Sequence, residues 1–270
     1  MPDVITREAE SSQVPLFDVA LEGVVYTLVD VHAGHDADFE RWYENDHFYA
    51  GGVLGPHVLA GGRWYASREL REARWVSPRC LLPDPYAGTN LAMYWLATGG
   101  LDAFYGWVEP TIAQLRPGGR MFPHRTHVNT DGYRLEQVLD AADRSTVPPH
   151  VALDHPFPGV FVSYLAPQAE TRAAANLPPR SLSIAFRPNA GSMDASTLGV
   201  DAAAPGMVFP TDGEPVRLVL TFLAERPPAD ADWSRQTVEA IASATGSDPL
   251  WGGAFLPVTP GSMEHLASLR

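Results

Sequence analysis

The chain has 270 residues, 45% of them hydrophobic, with 19 basic against 32 acidic side chains and a formal net charge of −13. Such a length can bury a substantial core, as one large or two small domains. The acid excess argues against nucleic acid or an anionic membrane as partner, because both require a dense cationic footprint.

Two scarcities narrow the chemistry. Cys80 is the single cysteine, which excludes a disulfide framework, a cysteine-based zinc site and an iron–sulfur cluster. All 19 basic residues are arginine, so no lysine can form a Schiff base or reach phosphates from a P-loop. Residues 1–21 read as a polar tail without the apolar segment of a secretory signal. No run approaches the roughly 20 apolar residues that span a bilayer, and the expected location is the cytoplasm.

The first unit is expected over residues 22–139. Gly23–His32 is rich in β-branched and aromatic residues and reads as a strand. Ala33-Gly34 breaks it, and Asp36 or Asp38 can cap a helix running to about Tyr49. His57–Ser67 is a second strand, with Gly61-Gly62 marking a bulge or a close backbone approach. After a proline-rich connector at 78–88, Asn90–Thr98 is a third strand. Leu101–Leu115 is an amphipathic helix interrupted by Pro110, and Met121–Val128 a fourth strand. The order β-α-β-β-α-β is the ferredoxin-like arrangement of an antiparallel sheet with two helices on one face.

Residues 140–158 form a proline-containing linker. A second, weaker unit follows over 159–270, with strands at 159–165, 181–187 and 216–224, a helix at 233–245 and a closing strand at 252–258. Its first helix, near 169–175, is expected to be short, and 189–213 to be irregular. The expected fold class is α+β, two tandem ferredoxin-like units packed sheet to sheet.

Phe39, Trp42, Tyr43 and His47 fall at i, i+3, i+4 and i+8 and share one helix face. An imidazole on that face points at the sheet and can exchange a proton near neutral pH. Tyr43, one turn earlier, can share a hydrogen bond with it. Asp30 and Tyr26 point to a common side of the first strand, from which Asp30 could orient His47. Tyr65, Tyr94, Trp64 and His57 are further candidates for the lining. His124 and His127 are three apart, hence on opposite strand faces, and His124 is the expected pocket residue of the two. No histidine pair has the H-x-x-x-H or H-E-x-x-H spacing of a helical metal site, so no metal is expected. No strand–GxGxxG–helix unit and no G-x-S-x-G element occurs.

Phe39, Trp42, Tyr43 and His47, followed by Arg63-Trp64-Tyr65, resemble the first helix and second strand of the dimeric α+β barrel superfamily, in particular its EthD-like branch. The resemblance covers about a tenth of the chain at motif level. Members usually continue H-[I/L/V]-P, where this chain has His47-Phe48-Tyr49 and two glycines. The resemblance implies a barrel of two ferredoxin-like units, here within one chain, so that the protein is a monomer by internal pseudo-dimerism or a homodimer. It also implies a pocket between sheet and helices. Superfamily activities include polyketide cyclisation, lactone isomerisation, cofactor-free oxygenation and, in distant branches, haem chemistry.

Two readings follow. In the first, the chain is a cofactor-independent enzyme of secondary metabolism acting on an apolar oxygenated molecule such as a polyketide or aromatic, by cyclisation, isomerisation, dehydration or elimination. His47 is base or acid, Asp30 orients it, Tyr43 and Tyr65 hold substrate oxygens, and Tyr26, Trp42, His57, Trp64, Tyr94 and His124 line the site. In the second, it is a non-catalytic binder of a hydrophobic small molecule. A cofactor-free monooxygenase or a haem enzyme of the same superfamily stays open.

Overall fold

The computed structural model describes residues 19–80, 82, 84–139, 143–167, 177–189 and 216–270. β1 (Leu21–Val31) leads into a short helix, α1 (Asp36–Trp42), which continues as two π-helical turns, Tyr43–His47 and Tyr49–Val53. β2 (Val58–Tyr65), α2 (Arg68–Glu72) and the two-residue β3 (Trp75–Val76) follow, then β4 (Asn90–Ala97), α3 (Gly100–Leu115) and β5 (Arg125–Val138). The second half contributes β6 (Gly159–Pro167), β7 (Leu182–Pro188), β8 (Arg217–Leu223), α4 (Ala231–Thr245) and β9 (Ser247–Pro257).

The sheet runs β2-β4-β1-β5-β7-β8-β6-β9, and β9 pairs back with β2, which closes an eight-stranded antiparallel barrel; β3 adds to β9. Each half contributes four strands in the same relative order, and β5–β7 is the joint between them. The expected first helix of the second half lies outside the described residues, as does nearly all of the expected irregular stretch.

The apolar run of β1 is continuous because both of its faces are buried. Val24, Tyr26 and Leu28 point into the barrel, and Val25, Val29 and Val31 point to the helices outside. The interior is filled by rings: Tyr26 meets Tyr133 and Tyr164 edge-on at 6.1 and 6.3 Å, and Trp95 packs on Phe186 at 5.7 Å. A small barrel whose strands alternate inward and outward leaves room for packed side chains and no more. An interior packed in this way leaves a ligand the outer face of the sheet and gaps in the barrel wall.

The structure departs from expectation in four places. β9 starts at Ser247 rather than residue 252. β5 starts at Arg125 rather than Met121 and runs to Val138. The helix carrying His47 loses α-helical pitch at Tyr43 and widens to π, a form seen mostly as single turns at functional sites. Residues 68–76, between β2 and the expected connector and without an assigned element in the sequence, hold α2, with Ser67 Oγ accepting from the Leu70 N–H at its start, and β3. No helix among the described residues is long and apolar enough to cross a membrane.

Candidate functional site

The outer face of the first four strands, under the π turns and α3, holds a cavity of about 40 Å3 lined by Tyr43, His47, Tyr94, Arg125, His127 and Thr130 among apolar neighbours. Seven polar side chains, these six and Thr27, are costly to bury in so small a space without partners, so each contact carries information.

His47 lies flat on Trp42, ring centroids 4.3 Å apart. Its Nδ1 is buried without a hydrogen bond. Burial, reinforced by the nearby Arg125 guanidinium, lowers its pKa to about 3, so the ring is neutral throughout the physiological range. Gly51 makes the stacking possible, because a Cβ there would come within 2.6 Å of the imidazole. Next to it, a Cβ on Gly52 would stand 2.2 Å from the Tyr94 ring. Gly52→Ala is accordingly expected to cost about 1–3 kcal/mol of stability by overpacking, seen as a lowered Tm in a circular-dichroism melt.

Arg125 is buried, and desolvation lowers its pKa to about 10. It donates to the Phe122 carbonyl and, through Nε, to His127 Nε2 at 3.1 Å, and it lies over the Trp42 ring. Since His127 Nε2 accepts, its proton sits on Nδ1 and is given to Thr130 Oγ1 at 2.6 Å. Burial also holds the His127 pKa well below the usual histidine range. Tyr43 and Tyr94 share a hydroxyl–hydroxyl hydrogen bond of 3.0 Å, and burial raises both phenol pKa values. The cavity thus presents a neutral imidazole, a fixed cation and protonated phenols side by side.

Of the residues named from sequence, the structure brings together Trp42, Tyr43, His47 and Tyr94. It does not bring Asp30 or Tyr26 to them. Both sit on the other face of β1: Tyr26 is inside the barrel, and Asp30 accepts from Thr89 N–H and Oγ1–H at 2.8 and 2.7 Å. Trp64 points to the interior, toward Phe222 at 6.4 Å. Tyr65 packs on His265, whose Nε2 is 3.5 Å from the buried Glu40. His57 is exposed in a left-handed turn with φ 60°. His124 is corrected to His127: His124 precedes the strand and stacks on His35 at 3.7 Å at the surface. His127 pairs with Val29, which faces the helices. Arg125 and Thr130 escaped the sequence reading because the strand start was misplaced and a bulge falls between the Leu28–Asn129 and Val29–His127 pairs.

No protein-family model and no curated protein matches the chain. Among solved structures, it is similar to a dye-decolorizing peroxidase from Bacteroides thetaiotaomicron, with 10% identity and TM-score 0.50 over 88% of this chain and 93% of that one. A dye-decolorizing protein from V. cholerae aligns with 9% identity over 87% and 93%, TM-score 0.45. A Rhodococcus jostii DypB variant in complex with heme aligns with 9% identity over 90% and 95%, TM-score 0.46. The first likeness shows the fold alone: this chain has the α+β barrel of that structure.

The fold raises haem, and the donor set can be tested against it. An axial histidine must face an apolar space wide enough for the macrocycle. His47 and His127 face about 40 Å3, and His265 packs on Tyr65 with its Nε2 turned to the Glu40 carboxylate 3.5 Å away, without a hydrogen bond, and not to an open apolar space. His32, His35, His57, His124 and His150 line none of the three cavities described, and His35 is stacked on His124. His155 reaches a larger cleft, but its ring rests on Phe157, 4.3 Å away, at an exposed rim that also carries Asp154 and Glu44. Those carboxylates oppose the two carboxylates of a haem. Beyond residue 159 the sequence contains a single histidine, His265. The histidines among the described residues do not fit a haem. Among the described residues, no group of three histidine, cysteine or acidic side chains could hold a metal ion.

Proposed function

We infer that the chain is a cofactor-independent enzyme that moves a proton on an oxygenated aromatic or polyketide-like molecule, in the manner suggested by the EthD-like resemblance. The observation that carries this reading is the convergence of His47, Arg125, His127 and the Tyr43–Tyr94 pair on one buried cavity. A neutral His47 can accept a proton from an enolisable carbon or a phenolic oxygen. The anion formed meets Arg125, whose place is held by His127 and Trp42. A fixed cation in a water-poor site stabilises developing negative charge far better than one in bulk water. The raised phenol pKa values keep Tyr43 and Tyr94 protonated, so either can donate to a substrate oxygen. The cavity of about 40 Å3 admits the reacting oxygen rather than a whole substrate.

The test is exchange of the enolisable protons of benzoylacetone in deuterated water, followed by NMR. Exchange well above the buffer rate with the wild type, lost in Arg125→Met, supports the reading. Exchange at the buffer rate, or an Arg125→Met enzyme as fast as wild type, overturns it.

A haem-dependent reading draws on one observation, the peroxidase fold. The placement of the histidines opposes it. Purified protein incubated with hemin and passed through gel filtration is expected to carry no Soret band. A retained Soret band, abolished by replacing one histidine, would establish the haem reading instead.

A further inference from the structure

A second cavity of about 400 Å3 opens where β2 meets the second half. Its size lies within the roughly 300–1,000 Å3 of small-molecule sites, whereas the His47 cavity is a tenth of it. The cleft exists because the barrel seam is incomplete. β2 pairs with β9 only at Trp64 and Tyr65. One further contact, Val258 N–H to the Arg63 carbonyl at 2.9 Å, precedes the turn containing Pro260. The two-residue period of a strand sends the N–H and C=O of Gly61 to the same edge as those of Arg63. β9 has ended by that level, so this edge faces the cleft. Gly61 adds no side chain to the floor, where a Cβ would come within 2.9 Å of Phe48.

The walls are aromatic and rigid. Phe48 and Tyr49 come from the second π turn and its start, Trp64 from β2, and Phe157 from a loop stiffened by Pro156 and Pro158. Tyr49 is 51% exposed and turns its ring to the cleft. The charges are arranged against anions. Arg63 pairs with Glu40 and stands 3.9 Å from Glu44, while Glu44 and Asp154 leave carboxylates around the opening.

We propose that this cleft binds a flat, uncharged aromatic molecule bearing a hydroxyl or carbonyl oxygen. Its rings lie between Tyr49, Trp64 and the Phe157 loop, and its oxygen meets the free edge of Gly61. The site stands apart from the proton-transfer reading and does not depend on it. The two cavities are nonetheless adjacent: a void of about 10 Å3 shares Tyr43 with the inner one and Arg63 and Trp64 with the cleft. Arg63, whose guanidinium lies over the Tyr43 ring at 5.0 Å, forms the partition.

The test is calorimetric titration at pH 7 with 2-naphthol, and with 2-naphthoate as the anion of the same ring system. Saturable 1:1 binding of 2-naphthol is expected, with 2-naphthoate at least tenfold weaker. Tyr49→Ala is expected to weaken 2-naphthol about three- to tenfold, the range of one aromatic contact. Leu153→Trp, which fills the cleft, should abolish binding, and His47→Gln should leave it unchanged. Melting curves establish that each variant is folded; should Leu153→Trp unfold, His155→Trp at the exposed rim replaces it. Absence of 2-naphthol binding, or equal affinity for the anion, overturns the proposal. So does binding that survives Leu153→Trp but is lost in His47→Gln; that result would place the probe in the inner cavity and leave the proton-transfer reading intact.

Discussion

His47→Gln is expected to flatten the acid limb of the stability curve. In the folded protein the His47 pKa is about 3, held down by burial and then by Arg125; in the unfolded chain it returns to about 6.5. Between these values the unfolded state binds a proton that the folded state refuses, so stability falls as pH falls. The contribution is nearly intact above pH 6.5, about 2 kcal/mol smaller at pH 5, and about 4 kcal/mol smaller near pH 3. His127, also held low by burial, acts in the same direction. Urea titrations of wild type and His47→Gln from pH 7 to pH 4 isolate the His47 share. A constant offset from the glutamine moves the whole curve without changing its slope, and the slope is the readout. Parallel curves would show that His47 titrates normally and is not the buried neutral ring described here.

The second large effect is on rate. His47→Ala is expected to slow benzoylacetone proton exchange about 10²–10⁴-fold, the usual cost of losing a positioned base. Tyr43→Phe should cost less, because Tyr94 remains to donate. The low pKa also sets the shape of the pH profile. A base that is free above about pH 3 keeps kcat/KM level from pH 8 down to the onset of acid unfolding, with no inflection near 6.5. An inflection near 6.5 would assign the proton transfer to another, more exposed histidine. A His47→Ala protein that melts normally and turns over at near wild-type rate would reduce His47 to a packing residue.

How far these groups could be read from sequence depended on how one-sided each element is. The helix with Phe39, Tyr43 and His47 has one buried face, so spacing alone placed its rings. β1 is buried on both faces, and alternation then cannot say which side is the barrel interior. Asp30 and Tyr26 were assigned to the pocket for that reason, though Val25 and Val29 are the residues that face it. β5 defeated the reading differently. Its true start at Arg125 and the irregularity before Asn129 change the parity of every residue between, which exchanged His124 for His127 and hid Arg125. Gly51 and Gly52 looked like turn residues, whereas their missing side chains make space for the rings of His47 and Tyr94. The cleft was invisible because it depends on where two strands remote in sequence stop pairing.

The two joints of the barrel are unequal. β5 and β7 are matched at five residue pairs, β2 and β9 at two. Breaking the first separates a long ladder, while breaking the second releases a short one. Thermal fluctuation is thus partitioned between a hinge and a latch, and the amide proton of Tyr65, which faces β9, should exchange with deuterium sooner than those of Arg134 and Gln137, which face β7. The latch is also the wall of the cleft, so the breathing that exposes that amide varies the width of the larger cavity and leaves the ring-filled interior undisturbed.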